Sequence, residues 1–334
     1  VLVTGALGYD TYYGFMGQTY LMFSDMLGNH RILLITDLLD DLENSTVFAR
    51  YDLLKYRTDF AITGYHYMDY FWDNRDILFS DRVYGGSAEA SYPFSQFERV
   101  QASAQGFVVQ REFLGAPAGT PLPEDISPFN LKFSAAVVKD NSLWKSTGPL
   151  NGTRAKLALE YVPPVSENSL DFVAARFDYR KYVHLGEGYG LALRAAAGTA
   201  QGDKPPVYWM GGTEYWLNWK LATTDVYSLR DIYFSRMVLP LRGHEYFAYS
   251  GQSYAICNLE LRYPFVKRLS LGMPPLEIGG INGALFADIG AVAGEDLDDF
   301  RGWKNGGFED VKMGVGVGAR AWFWMFLFKY DLAW

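Results

Sequence analysis

Apolar and polar residues alternate along most of this chain, and helical spacing is rare. From Thr153 to Val162, Ala155, Leu157, Leu159 and Tyr161 share one face, and Arg154, Lys156 and Glu160 the other. Next, Val173, Ala175, Phe177 and Tyr179 oppose Arg176, Asp178 and Arg180. Residues 255–265 set Ala255, Cys257, Leu259, Leu261, Tyr263 and Phe265 against Asn258, Glu260 and Arg262. Residues 311–323 and 326–334 repeat the pattern, the first with Gly314, Gly316 and Gly318 on its polar face. A period of two with one apolar face predicts half-buried β-strands. Weaker strands are predicted over 1–10, 18–26, 30–39, 45–54, 58–71, 83–94, 98–113, 130–140, 189–201 and 281–293, about fifteen in all. Short connections fall at Leu27–Asn29, Lys55–Arg57, Ser95–Phe97 and Gly186–Gly188, and long ones at 72–82, 114–129, 202–253 and 295–310.

Alternation alone fits either a soluble sandwich or a membrane-spanning antiparallel barrel. Strand length favours the barrel. Soluble strands average ~5–6 residues, whereas ten residues tilted ~40° rise ~25 Å, the height of the apolar band of such barrels. Short turns on one rim with long loops on the other, and aromatics at strand ends (Tyr161, Tyr179, Phe265, Phe323, Trp334), point the same way. The predicted fold is all-β: a transmembrane antiparallel β-barrel of about sixteen strands.

Composition narrows the chemistry. The longest apolar run, Ala321 to Phe328, has eight residues, far short of the ~20 of a spanning helix. A net charge of −8 argues against a nucleic-acid partner. One cysteine, Cys257, excludes a disulfide scaffold, and four scattered histidines leave little for a metal centre. Residues 251–254 lack the pattern of a nucleophile elbow, and His66, the one histidine on an apolar strand face, lacks a fixed partner. Glu295, Asp296, Asp298 and Asp299 form an acidic loop without the spacing or glycine of a calcium loop, which reads as solvated. Trp209, Trp216 and Trp219, with Gly211 and Gly212, either pack inside the barrel or meet a partner. No catalytic residue, metal or cofactor is expected, and the chain is not read as an enzyme.

The C-terminal third carries four ordered motifs: Leu241-Arg242-Gly243-His244, then Asn258-Leu259-Glu260-Leu261-Arg262-Tyr263-Pro264-Phe265, then Phe286-Ala287-Asp288-Ile289-Gly290, then Gly314-Val315-Gly316-Val317-Gly318-Ala319-Arg320. In these it resembles the Omp85 superfamily, the BamA-like or D15 surface-antigen barrels of Gram-negative outer membranes. Gly17, Ser24-Asp25-Met26-Leu27-Gly28-Asn29-His30, Asp140-Asn141-Ser142 and Thr147-Gly148-Pro149 resemble a branch whose barrel follows a TolB-like β-propeller. The resemblance implies that 202–253 is a lid loop folded into the lumen, its Arg242-Gly243 tip locked on acidic wall residues. Alternation places Glu260, Asp288 and Asn282 on the lumenal face, and two inward carboxylates suit a forked guanidinium. The bland alternative is three solvated lumen charges. Gly243 would permit a tight tip, and Gly314, Gly316 and Gly318 would clear space for the loop. In a wet lumen the loss of one partner would be screened toward ~1 kcal/mol, so the lock would position a loop rather than hold up the barrel. His244 stands where the family has Phe or Tyr, with Tyr246 and Phe247 just beyond, so the aromatic anchor is expected to have shifted.

Functionally, the resemblance implies insertion or translocation of polypeptides or other cargo at the outer membrane. A weak seam, with Val1 and Val3 on the first strand and Phe328, Tyr330 and Trp334 on the last, would offer backbone groups to an incoming strand. Expected partners are outer-membrane lipid and lipopolysaccharide, polypeptide cargo, and a periplasmic partner or fused propeller. The alternatives are a passive pore, a membrane anchor for such a propeller, and a membrane hydrolase. Residues 1–334 are expected to be the barrel domain alone, with a periplasmic domain before Val1 and, given an odd strand count, a last strand beyond Trp334. The alternating, aromatic-ended 326–334 would equally serve as a true end.

Overall fold

The structure is a computed structural model, and it describes the chain outside residues 1, 11–13, 40–44, 73–75, 146–147, 214–235, 239, 273–275, 295–302, 305–306, 309 and 324–325. The alternating segments form the wall. Its first half is β1 (Leu2–Asp10), β2 (Gly14–Ser24), β3 (His30–Leu39), β4 (Thr46–Leu53), β5 (Asp59–Trp72), β6 (Leu78–Pro93), β7 (Glu98–Gly115) and β8 (Phe129–Asp140). After the three-residue β9 (Leu143–Lys145) come β10 (Gly148–Val162), β11 (Phe172–Gly186) and β12 (Tyr189–Gln201). The connection that follows carries β13 (Tyr208–Met210), β14 (Arg236–Val238) and β15 (Tyr249–Gly251). The wall resumes with β16 (Ser253–Leu271) and β17 (Leu276–Ala293), and after β18 (Trp303–Lys304) and β19 (Gly307–Phe308) ends with β20 (Val311–Phe323) and β21 (Phe326–Ala333). The wall strands pair antiparallel in chain order, and with β9 on β10 they make a 16-stranded sheet whose order runs from β1 to β21. No helix long and apolar enough to cross a membrane occurs among the described residues.

All fifteen segments predicted from alternation are wall strands. Their connections sort onto two rims as expected, with Gly186–Gly188 and its like on one and 202–252 on the other. The turn after β2 shows why short connections suffice. Asp25 Oδ1 accepts from the His30 amide at 2.9 Å, and Gly28 takes φ +72°, a left-handed turn position that favours glycine. Several strands run past their predicted bounds: β2 starts at Gly14, β10 at Gly148 and β17 at Leu276, β16 continues to Leu271, and β6 starts at Leu78, so the connection predicted over 72–82 shrinks to 73–77. Asp81 and Arg82 made that stretch look like loop, but Asp81 points inward and pairs with Arg111 of β7 at 2.5 Å. The short β9, β13–β15 and β18–β19 carry no alternation of their own and were not predicted.

Face assignment follows the pleat. Leu157, Leu159, Tyr161, Val173, Phe177, Leu259 and Leu285 are exposed on the outer surface, as strands bathed in lipid require. Inside, the expectation of a uniformly wet lumen is corrected. Toward the long-loop rim, inward residues of β6, β7, β10, β11, β12 and β16 are apolar and buried (Val83, Val109, Val162, Phe172, Ala196, Ile256). They pack against Tyr208, Met210, Val238 and Leu241, all from the 202–252 connection. An infolded segment needs apolar ground on which to bury its own side chains, and that half of the wall supplies it. Toward the short-turn rim the inward residues are charged. One pairing row reads Arg154–Arg180–Arg194–Asn258–Asp288–Gly314 across six strands.

Candidate functional site

The described parts of the 202–252 connection enter the lumen as a three-stranded sheet, with β14 parallel and β15 antiparallel to β13. Glycines let it lie against the wall: a Cβ on Gly251 would overlap the carbonyl of Ala293, and one on Gly290 would overlap Met210 Sδ. Leu241, fully buried, exchanges backbone hydrogen bonds with Gly212 at 3.0 Å each way. Arg242 follows at the junction between the apolar and charged halves of the lumen.

Arg242 meets both carboxylates that alternation placed inward. Its Nε donates to Asp288 Oδ2 at 2.7 Å and its Nη2 to Asp288 Oδ1 at 2.8 Å, a forked pair. Its Nη1 donates to Glu260 Oε2 at 2.9 Å, and its backbone N–H to Asp288 Oδ2 at 3.1 Å. The guanidinium lies 3.5 Å from the ring centre of Phe286. Side-chain exposures of 6% for Arg242, 0% for Asp288 and 14% for Glu260 make this a buried cluster. Three solvated charges would not look like this, and the expected screening by a wet lumen does not apply. Burial alone would lower the proton affinity of Arg242, but the hydrogen bonds and charge of Asp288, and then of Glu260, outweigh it and hold the arginine above its ordinary value.

The glycines close the fit. A Cβ on Gly314 would overlap the Arg242 carbonyl oxygen, one on Gly316 would overlap the Leu332 carbonyl and the Phe286 ring, and one on Gly318 would overlap Asp331. Thus Gly314 clears the loop itself, whereas Gly316 and Gly318 clear wall neighbours and inward side chains. Gly243 has φ +89°, and a Cβ there would sit 2.8 Å from the Trp334 carbonyl oxygen. His244 takes a polar role: Nε2 lies 3.0 Å from the Met313 carbonyl, and Nδ1 lies 2.9 Å from the Tyr249 hydroxyl. Phe247, at φ +58°, packs at a tilt against Trp209 with ring centres 5.9 Å apart. The aromatic contact thus sits three residues beyond Gly-His, and Trp209 packs within the connection. Trp216, Trp219 and the acidic residues 295–299 lie outside the described residues.

Several members of the cluster were not singled out from sequence. Asn258 donates to the Pro240 carbonyl at 2.7 Å and to Asp288 Oδ1 at 2.9 Å. Arg262 binds Glu260 Oε1 at 2.8 Å and the Pro149 carbonyl at 2.7 Å, tying the cluster to the start of β10. Arg320 and Asp331 pair at 2.6 Å, with Arg320 Nη2 also 3.8 Å from Glu260. Their inward faces were legible from alternation, but the register that joins them was not. Of the seam residues, Val3 pairs with Leu21 on β2, and Tyr330 with Ala319 on β20, so they stand at opposite ends of the strand order. Phe328, Tyr330 and Trp334 are exposed, and Val1 lies outside the described residues. His66 Nδ1 lies 2.8 Å from the Ser45 carbonyl, a structural bond rather than a serine–histidine pair.

A family model described as the Omp85 superfamily domain matches residues 56–334. No curated protein matches by sequence. In fold the chain is similar to BamA from Haemophilus ducreyi lacking POTRA domains 1–3, with a TM-score of 0.64 and 12% identity, over 99% of this chain and 66% of that one. CdiB from Acinetobacter baumannii gives 0.51 and 12%, over 99% of this chain and 55% of that one. CdiB from Escherichia coli gives 0.50 and 12%, over 96% and 56% respectively. The chain therefore spans less than two thirds of the length of each. With the strand order and the family match coinciding from residue 56 to 334, the chain belongs to the Omp85 superfamily and is an outer-membrane β-barrel.

Proposed function

We propose that this barrel acts in insertion or translocation of polypeptides at the outer membrane, with 202–252 as a lumenal lid and the two ends of the strand order as a lateral seam. The observation that carries the reading is the docking of Arg242 on Asp288 and Glu260, which gives the infolded segment one defined place in the lumen. Polypeptide cargo, surrounding lipid and lipopolysaccharide, and a periplasmic partner are the partners in this reading. The mechanism needs no covalent step and no cofactor. Backbone groups of β1 and β21 would pair with an incoming strand by β-augmentation while the lid keeps the lumen shut.

The runner-up is a passive pore or a membrane anchor for a periplasmic domain. The buried contacts of Tyr208, Met210 and Leu241 with the inner wall speak against an open pore. Planar-bilayer recording separates the two. A lidded barrel gives low, flickering current that rises in Arg242→Ala, whereas a steady large conductance that Arg242→Ala leaves unchanged favours the pore. The seam is tested by a Val3→Cys/Tyr330→Cys crosslink in a Cys257→Ala background. Unchanged insertion of a client barrel with the crosslink formed would remove the seam from the mechanism.

A further inference from the structure

Below the plug, toward the short-turn rim, the lumen holds a charge imbalance beyond the Arg242 lock, only part of which the connection engages through Arg236 of β14 and Glu160 of β10. A cavity of about 220 Å³ lies between β14 and the inner faces of β10, β11 and β12. Six cationic side chains line it: Arg154, Lys156, Arg176, Arg180, Arg194 and Arg236. The chain as a whole carries −8, so this concentration of positive charge is not a by-product of a basic composition. Two carboxylates answer it. Asp178 is shared by Arg180 and Arg194, each at 2.7 Å. Glu160 is shared by Arg176 and Arg236, each at 2.6 Å. Arg154 reaches only as far as Asp140, at 3.5 Å, and Lys156 has no ion-pair partner among the described residues.

Two donors at the cavity are built but unused. The Tyr208 side chain is fully buried, lines the cavity, and its hydroxyl has no hydrogen-bond partner; neither does Arg176 Nε. Buried polar groups are normally satisfied, so a pair of orphan donors beside six cations that share three carboxylates marks a place for an acceptor. The space, about 220 Å³, is roomy enough for a compact oxyanion together with a few waters. A phosphate group brings nearly two negative charges and three strong acceptor oxygens, and guanidinium forks match its geometry. A single peptide carboxylate would leave most of these donors idle.

We infer that this cavity is a binding site for a phosphate-class oxyanion, reached from the short-turn rim, which faces the periplasm in outer-membrane barrels. The inference stands independently of polypeptide insertion. A second cavity, of about 380 Å³, shares Arg180 and Arg194 with the first and adds Lys145, Arg262, Arg320 and Lys329, so the approach is basic too. Lumenal rings of Arg and Lys are the usual means by which pores select anions.

The test uses the full chain refolded in detergent micelles, with heat-modifiable migration as the check on folding and inorganic phosphate as the titrant in calorimetry. Saturable binding near one phosphate per chain is expected, weaker at higher salt as screening grows. Tyr208→Phe keeps the ring, removes the orphan hydroxyl, and should weaken binding about tenfold, the range of a hydrogen bond to a charged group. Arg154→Gln/Lys156→Gln should weaken it by about tenfold or more, since each partly buried charge contact is of at least that size. Glycerol phosphate and pyrophosphate distinguish the source: tighter binding of the ester or the anhydride identifies a phosphorylated solute, and binding of free phosphate alone identifies the ion itself. The site is refuted by the absence of saturable binding, by binding that both variants leave unchanged, or by an oligoglutamate peptide that saturates the chain without competition from phosphate. Should the double variant fail to fold, Tyr208→Phe decides alone.

Discussion

Replacing Arg242 by Met removes the guanidinium and retains a flexible side chain long enough to lie over Phe286. Asp288 bears the consequence. Fully buried, it keeps the Arg242 amide at 3.1 Å and Asn258 Nδ2 at 2.9 Å but loses the cation. Glu260 suffers less, because Arg262 stays at 2.8 Å and Arg320 at 3.8 Å. Breaking a buried pair from one side costs ~3–5 kcal/mol, mostly as the penalty of the stranded charge. That energy is a property of the docked lid, since Arg242 lies on the connection and Asp288 on the wall. At ~4 kcal/mol, and 1.4 kcal/mol per factor of ten, the undocked population rises close to a thousandfold. Hydrogen exchange reads this directly: amides of β13, β14 and β15 should lose protection by about that factor, while β6 and β7 keep theirs. Arg242→Met/Asp288→Asn should recover much of the loss, because no buried charge is then left without a cation. The reasoning fails if β13–β15 exchange as in the wild type, if β6 and β7 lose protection equally, or if the double variant is worse than the single one.

Gly314→Ala drives a methyl into the Arg242 carbonyl and should weaken docking by ~1–3 kcal/mol, as overpacking does; Gly64→Ala, with nothing within 4 Å of the new methyl, should leave β13–β15 exchange unchanged. Arg111→Met takes the cation from the fully buried Asp81 on the wall itself, so about 3–5 kcal/mol should be lost from the barrel rather than the lid, read as a lower urea midpoint. Alkaline pH should not undock the lid. Arg242 is held above its ordinary value, and a group whose folded value is raised loses its contribution only as pH rises through that folded value. β13–β15 protection, corrected for intrinsic exchange, should therefore be flat from about pH 7 to 10, a range far below any arginine titration.

The wall was legible because its outer face meets a solvent of one character. Leu157 and Leu259 point to lipid whatever strand lies beside them, so a period of two survives every change of neighbour. The inner face has no such uniform partner. Val83, Val109 and Ile256 face inward because the plug needs apolar ground there, and Arg154 and Arg194 face inward where it does not. Nothing within β6 or β12 alone announces which half of the lumen it lines. The start of β6 was misread for the same reason: Asp81 is tolerable in a buried strand only because register brings Arg111 beside it, and register is a relation between strands. For the lock, Glu260 and Asp288 were legible as inward carboxylates. Asn258 and Phe286 were not assigned roles, because their contacts depend on where the 202–252 connection crosses the wall.

That crossing point has a physical logic. Arg242 stands where the lumen changes character, with Leu241 buried among apolar residues on one side and Glu260, Arg262 and Arg320 on the other. A lid fixed only by the apolar contacts of Tyr208, Met210 and Leu241 would dock with little directional preference, because hydrophobic burial is non-directional. A lid fixed only by ion pairs in the charged half would be screened by water and salt. Setting one forked guanidinium at the boundary combines the two. The apolar half excludes water from Asp288, which strengthens the pair, and the pair fixes the register at which the apolar half packs. The same arrangement makes release a local event. Undocking breaks two ion pairs with the wall, Arg242 on Asp288 and Arg236 on Glu160, and frees their buried carboxylates into a lumen already rich in Arg and Lys, without breaking a single backbone pair between wall strands. Under the proposed function, the connection would therefore leave at a cost set by these ion pairs and the plug contacts, and the wall's strand pairing would not need to change when it does.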